Sequence, residues 1–148
     1  MRKYLGVALL IASFCLIMMS SSAIYGLLVS SLTLPSVGSV KTVGVSAYWD
    51  SDCTSEISMI NWGSAEPGDT KTVITYIKNE GSSAMTLSLD VGNWSPSGAS
   101  SYISISWNYA GQQLNPGDAV EVRFTLSVSS SISGISSFTC DMTITGTG

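Results

Sequence analysis

From Val120 to Val128 the chain alternates apolar and polar residues without a miss: Val120, Val122, Phe124, Leu126 and Val128 against Glu121, Arg123, Thr125 and Ser127. Phe138, Cys140, Met142 and Ile144 repeat the pattern against Thr139, Asp141, Thr143 and Thr145. A period of two lines one face of a strand with apolar groups, whereas a helix would scatter the same residues around its circumference. Both stretches therefore read as half-buried strands. An apolar sheet face must be buried against a second layer, which points to two packed sheets.

Shorter segments fit the same plan. Lys41 to Trp49 alternates Val43, Val45, Ala47 and Trp49 and reads as a first strand. Ile57 to Trp62 is a short second strand ending at Gly63, and Met85 to Val91 and Ile103 to Trp107 alternate in turn. Thr70 to Asn79 is β-branched and aromatic, with apolar residues on both faces, as expected near a sheet centre or close to a membrane linker. Pro67-Gly68-Asp69 precedes it, and Asn115-Pro116-Gly117-Asp118 precedes Val120; Pro presets φ and Gly accepts positive φ, so tight turns form there at little cost. Gly92 to Ser101 reads as a loop by composition. The expectation is all-β: about seven antiparallel strands forming a sandwich over residues 40–148, the size of an immunoglobulin-type domain.

Charge excludes several functions. Only 11% of residues are charged, and from Lys41 onward four basic residues (Lys41, Lys71, Lys78, Arg123) face all ten acidic ones, a net of −6. Such a domain cannot neutralise a phosphate backbone, so no nucleic-acid partner is expected. The chain has no histidine, which removes the commonest general base and metal ligand together. Its many serines have no activating base, so no enzyme and no cofactor is expected.

Residues 1–34 read as a transmembrane anchor or signal segment, followed by a linker at 35–39, where Pro35 ends any helix. Arg2 and Lys3 precede the apolar run and no positive charge recurs until Lys41, which predicts a cytoplasmic N-terminus and an extracellular domain on a single-pass membrane protein. Leu5 to Val29 would span about 37 Å as a helix, enough to cross a bilayer with tilt and contact its lipid. Ser21 and Ala23 also fit a signal-peptidase site, and cleavage after Ala23 would release the domain. A third reading, a pilin-type leader cut after Gly6, lacks an early acidic residue in the would-be mature helix. The anchor is preferred, because a cleaved chain would begin with an exposed apolar run at Ile24.

Few residues offer chemistry. Cys53 and Cys140 are the cysteines outside the apolar segment, and an even pair in an exported domain suggests a disulfide. Closing a loop of that length would contribute about 4 kcal/mol in the chain-entropy model. The alternative is two thiols, with Cys140 as a small core residue. Asp50, Asp52 and Glu56 crowd one loop but lack the glycine and spacing of a calcium loop, so a solvated acidic turn is expected and no metal site. Asn93-Trp94-Ser95 is an N-glycosylation sequon, weakened by Pro96. Of the four tryptophans, Trp49 and Trp107 fit inward strand positions. Trp62 and Trp94, at a strand end and in a loop, are the two left to form a ligand surface.

The combination Val45-x-x-Tyr48-Trp49-Asp50, Cys53-Thr54, Trp62-Gly63, Glu66-Pro67-Gly68, Tyr76-Ile77-Lys78-Asn79-Glu80-Gly81, Asn93-Trp94-Ser95-Pro96 and Ser106-Trp107 resembles a family of small archaeal surface proteins. The likeness covers residues 36–146. It implies one amino-terminal transmembrane segment and one immunoglobulin-like β-sandwich, and brings no activity with it. More loosely, a Pro-Gly-Asp turn feeding a strand that ends in Asn-x-Gly is similar to sandwich modules of adhesins and TasA-like fibre subunits. The leading expectation is a non-enzymatic cell-surface module for adhesion or surface interaction, with protein or self-association as its mode. The rival is a secreted, self-assembling fibre subunit that uses Ile24–Leu34 as a donor strand. A carbohydrate-binding module built on Trp62 and Trp94 is the weakest of the three.

Overall fold

A computed structural model of the protein describes residues 34–148. The expectations for an anchor, a signal-peptidase site and a donor strand fall on earlier residues and lie outside the described ones, apart from Leu34. Among the described residues no helix is long and apolar enough to cross a membrane.

Eight strands follow one another: β1 (Leu34–Val43), β2 (Val45–Tyr48), β3 (Met59–Ala65), β4 (Thr70–Asn79), β5 (Thr86–Ser95), β6 (Ile103–Trp107), β7 (Ala119–Val128) and β8 (Phe138–Thr147). A single 3-10 turn, Ser97–Ser101, joins β5 to β6. One sheet has the order β3-β1-β8-β5 and the other β2-β4-β7-β6. The buried apolar residues of both sheets form one core, as in a β-sandwich.

The two stretches with perfect alternation behave as the pattern requires. Val122, Phe124, Leu126 and Val128 are buried on β7, and Phe138, Cys140, Met142 and Ile144 on β8. On β4 the buried set is Thr75, Ile77 and Asn79, which leaves Ile74 45% exposed on the opposite face.

The amino-terminal end differs from expectation. Residues 35–39 are not a linker but the first half of β1, paired antiparallel with β3 and parallel with β8 from Ser36↔Phe138 to Val43↔Thr145. The sheet is therefore mixed rather than wholly antiparallel. The expected single strand from Lys41 to Trp49 is two strands: Gly44, at φ +74°, breaks the run and passes the chain from one sheet to the other. Eight strands replace the expected seven for that reason.

Two bulges account for other differences. Asn61 pairs with Val37 and Gly63 with Ser36, so Trp62 is the extra residue of β3, and the strand continues past Gly63 (φ +69°) to Ala65. The Asn61 carboxamide accepts a hydrogen bond from the Gly63 amide at 2.8 Å. On β5 the register shifts between Gly92 and Ser95, with Asn93 at φ +52°. The stretch read as a loop from Gly92 is thus strand through Ser95, followed by a cis Ser95–Pro96 bond and the 3-10 turn.

The two Pro-Gly-Asp turns are built alike. Asp69 accepts from the Glu66 amide at 2.8 Å and Asp118 from the Asn115 amide at 2.9 Å. Gly68 donates to the Val128 carbonyl at the end of β7, and Gly117 to the Asn79 carbonyl at the end of β4. β4 and β7 pair antiparallel, from Thr70↔Ser127 to Lys78↔Ala119. Each turn therefore starts one strand and grips the last residue of the other.

Candidate functional site

The residues singled out from sequence scatter through the fold. Cys53 and Cys140 are both free, which corrects the disulfide expectation. Cys140 is buried on the core side of β8, opposite Gly38. Cys53 sits at φ +54° in the turn after β2, on the other sheet, with its thiol facing the Ser51 carbonyl at 3.8 Å. Burial and the neighbouring Asp141 push the Cys140 thiol up to about 11.

Trp62 cannot serve as a ligand surface, because it is 4% exposed and its indole Nε1 lies inside the core without a partner. Trp94 is half-buried on β5 and packs on Phe138, ring centroids 5.8 Å apart. Trp107 stacks on Phe124 at 5.9 Å, whereas Trp49, expected inside, is 43% exposed just beyond β2. Asn93 is exposed, with its Nδ2 donating to Asp141 at 2.9 Å.

In the acidic turn, Asp50 accepts from the Thr54 hydroxyl at 2.7 Å and from the Thr54 and Ser55 amides. Those bonds hold its carboxyl below the usual range. Its oxygens close the turn, and no group of three acidic, cysteine or histidine side chains able to hold a metal occurs among the described residues. A shallow hollow of about 300 Å³ opens beside the start of β6, walled by Ser101, Tyr102, Ser104, Ser127 and Ser129. It carries no ionisable group apart from the Tyr102 phenol.

What the fold does assemble is a side-chain array on the outer face of the β2-β4-β7-β6 sheet. Register sets Tyr48 beside Tyr76 and Tyr76 beside Glu121, and in the next row Ile74 beside Arg123. Alternation sends all five outward, since their neighbours Ala47, Thr75, Ile77, Val122 and Phe124 fill the core. Tyr48 donates to Glu80 at 3.1 Å and Tyr76 to Glu121 at 3.3 Å, so each phenol is tied to a carboxylate. Lys78 pairs with Glu80 at 3.0 Å.

The titration behaviour follows. The hydrogen bond with Ser46 pulls Tyr48 down, but desolvation and Glu80 together leave it raised. Desolvation, then the charge of Glu121, raises Tyr76. Glu80 is held low by its bonds from Lys78 and Tyr48, and Lys78 is held high by the same carboxylate. Among the described residues neither Glu121 nor Arg123 has an ion-pair partner.

Chemically this face holds two anchored phenols, an exposed aliphatic side chain and charges of both signs, but no nucleophile with a base beside it. It suits recognition. Reasoning from sequence passed over these residues, although one signal marked them: Thr70–Asn79 is apolar on both faces, and among the described residues no second layer covers one of those faces. Neither protein-family models nor the sequences of curated proteins match this chain.

Proposed function

We propose that the protein is a non-enzymatic cell-surface module, an immunoglobulin-like sandwich tethered to the membrane by Leu5–Val29, that engages its partner through the outer face of the β2-β4-β7-β6 sheet. The observation that carries the reading is the row Tyr48–Tyr76 with Ile74 beside it, 45% exposed on a strand whose opposite face supplies Thr75, Ile77 and Asn79 to the core. Aromatic and aliphatic groups held rigid on a sheet lose little entropy on contact, and Tyr is enriched where partners bind. The tether rests on the basic residues Arg2 and Lys3 ahead of the apolar run.

The test uses the full-length protein in lipid vesicles, binding to intact cells that produce it. Replacing Ile74 with Lys should weaken binding by about tenfold or more, the loss of about 1.4 kcal/mol. Unchanged binding would remove the face from consideration. A domain that protease added outside intact cells cannot reach would remove the topology.

A further inference from the structure

We propose that the occupant of this face is a second copy of the chain, docked sheet against sheet about a two-fold axis. The inference rests on the interaction face proposed above and adds the identity of the partner.

From Lys41 onward the chain carries a net charge of −6, so two copies repel unless they meet where the charge balances. The outer face of the β2-β4-β7-β6 sheet is such a place. Lys78 and Glu80 neutralise each other there, and Glu121 and Arg123 follow two residues apart on the same side of β7. Two of the four basic residues of this region lie on this one face.

The order of the side chains then selects the symmetry. One row across the sheet reads Tyr76–Glu121 and the next Ile74–Arg123. The two rows lie roughly 7 Å apart along the strands. Consider a two-fold axis lying in the interface, perpendicular to the strands and midway between these rows. It turns the second copy over so that each row faces the other row of its partner. Glu121 then meets Arg123 of the other copy, Arg123 meets Glu121, and each Tyr76 ring meets an Ile74.

An isologous interface needs this reciprocity, in which residue i meets j and j meets i. The four facing pairs that Tyr76, Glu121, Ile74 and Arg123 make are favourable: two of opposite charge and two aromatic–aliphatic, with Tyr48 at the margin. Glu121 and Arg123, which have no ion-pair partner within the described chain, gain one each. Thr72 and Thr125 flank the two rows on one side and Lys78 and Ala119 on the other, so that Lys78 of one copy lies over the small Thr72 of the other and Ala119 over Thr125, which leaves room for the sheets to approach.

The decisive experiment is a charge swap in the full-length chain in detergent micelles, with protein mass measured by light scattering across a dilution series. The wild type should associate to a dimer. Glu121→Arg and Arg123→Glu alone place like charges opposite one another and should each weaken association by about tenfold or more. The double variant restores opposite charges in reversed order and should recover association to within about threefold of wild type. Both sites are exposed, and circular dichroism confirms that each variant keeps its fold.

A monomeric wild type, or a double variant as weak as the singles, overturns the proposal. So does a dimer indifferent to all three variants, since it would form elsewhere. If the swap fails while Ile74→Lys still loses cell binding, the face stands and its occupant is another molecule; if Ile74→Lys is also silent, both readings fall.

Discussion

Asn79 is the residue at which the described fold is most open to a single decisive substitution. It is fully buried at the end of β4 and carries a polar side chain among apolar neighbours. Its Nδ2 donates to the Ser83 carbonyl at 2.8 Å and to the Leu114 carbonyl at 3.0 Å, and its Oδ1 accepts from the Gly81 amide at 2.8 Å. Three chain segments are thereby joined: the turn after β4, the approach to β5 and the strand-like stretch before the second Pro-Gly-Asp turn. Asn79→Ala removes all three bonds at once.

At about 1 kcal/mol net for each, the loss is about 3 kcal/mol. Two features bring it down. The Leu114 carbonyl keeps the Met85 amide at 2.9 Å, and Gly81 and Ser83 are exposed enough for water to replace the lost carboxamide. The vacated side-chain volume pushes the other way. A loss of about 2.5 kcal/mol is expected, seen in urea unfolding as a lower midpoint with unchanged slope. At about 4 °C per kcal/mol for a domain of this size, the melting temperature should fall by about 10 °C. Thr75→Val provides the scale, because it removes one buried bond, to the Val122 carbonyl at 3.2 Å, and should cost about 1 kcal/mol. An Asn79→Ala variant that loses no more than Thr75→Val would refute the idea that the carboxamide ties the three segments.

Three further outcomes follow. Asp69→Ala deletes the bond from the Glu66 amide, and Asp118→Ala the bond from the Asn115 amide together with an exposed one from the Asn115 carboxamide, so each should lower stability by about 1 kcal/mol. Because the two turns sit at opposite ends of the β4–β7 pair, the double variant should lose the sum in urea unfolding. The raised pKa of Cys140 means that its folded form holds the proton where an unfolded thiol, near 9.0, has lost it. The Cys140 contribution is therefore unchanged below about pH 9 and should fall as the pH climbs from there towards 11, so Cys140→Ala should make the alkaline loss of stability shallower, leaving the part due to the raised phenols of Tyr48 and Tyr76. At pH 8 in the folded protein, alkylation followed by mass mapping should modify Cys53 well before Cys140.

The legible parts of the sequence were those where one sheet face is wet. Val120–Val128 and Phe138–Ile144 declared themselves because the polar half of each alternation survives at the surface. β1 did not, and the reason is its neighbours. Its buried positions include Ser36 and Gly38, small because large groups already occupy the space: a Cβ at Gly38 would lie 3.1 Å from Met142 Cε and 3.4 Å from Trp62 Nε1. A strand that makes room for others looks like a linker when read alone. Parallel pairing with β8 was equally invisible, since it joins residues about a hundred positions apart and leaves no local mark. The proposed interaction face was hidden differently. Tyr48, Tyr76 and Ile74 are ordinary strand residues, and only register brings them beside Glu121 and Arg123.

The place of β1 has a mechanical meaning. Its described part begins at Leu34, lies between β3 and β8, and runs in the same direction as β8 over eight paired residues. A pull on Leu34 against the rest of the domain draws β1 lengthwise past two neighbours, so its ladder bonds bear the load together in shear. A strand at the sheet's rim, tugged sideways, would instead peel away one bond after another. Traction applied at Leu34 is thus resisted by two neighbouring strands at once.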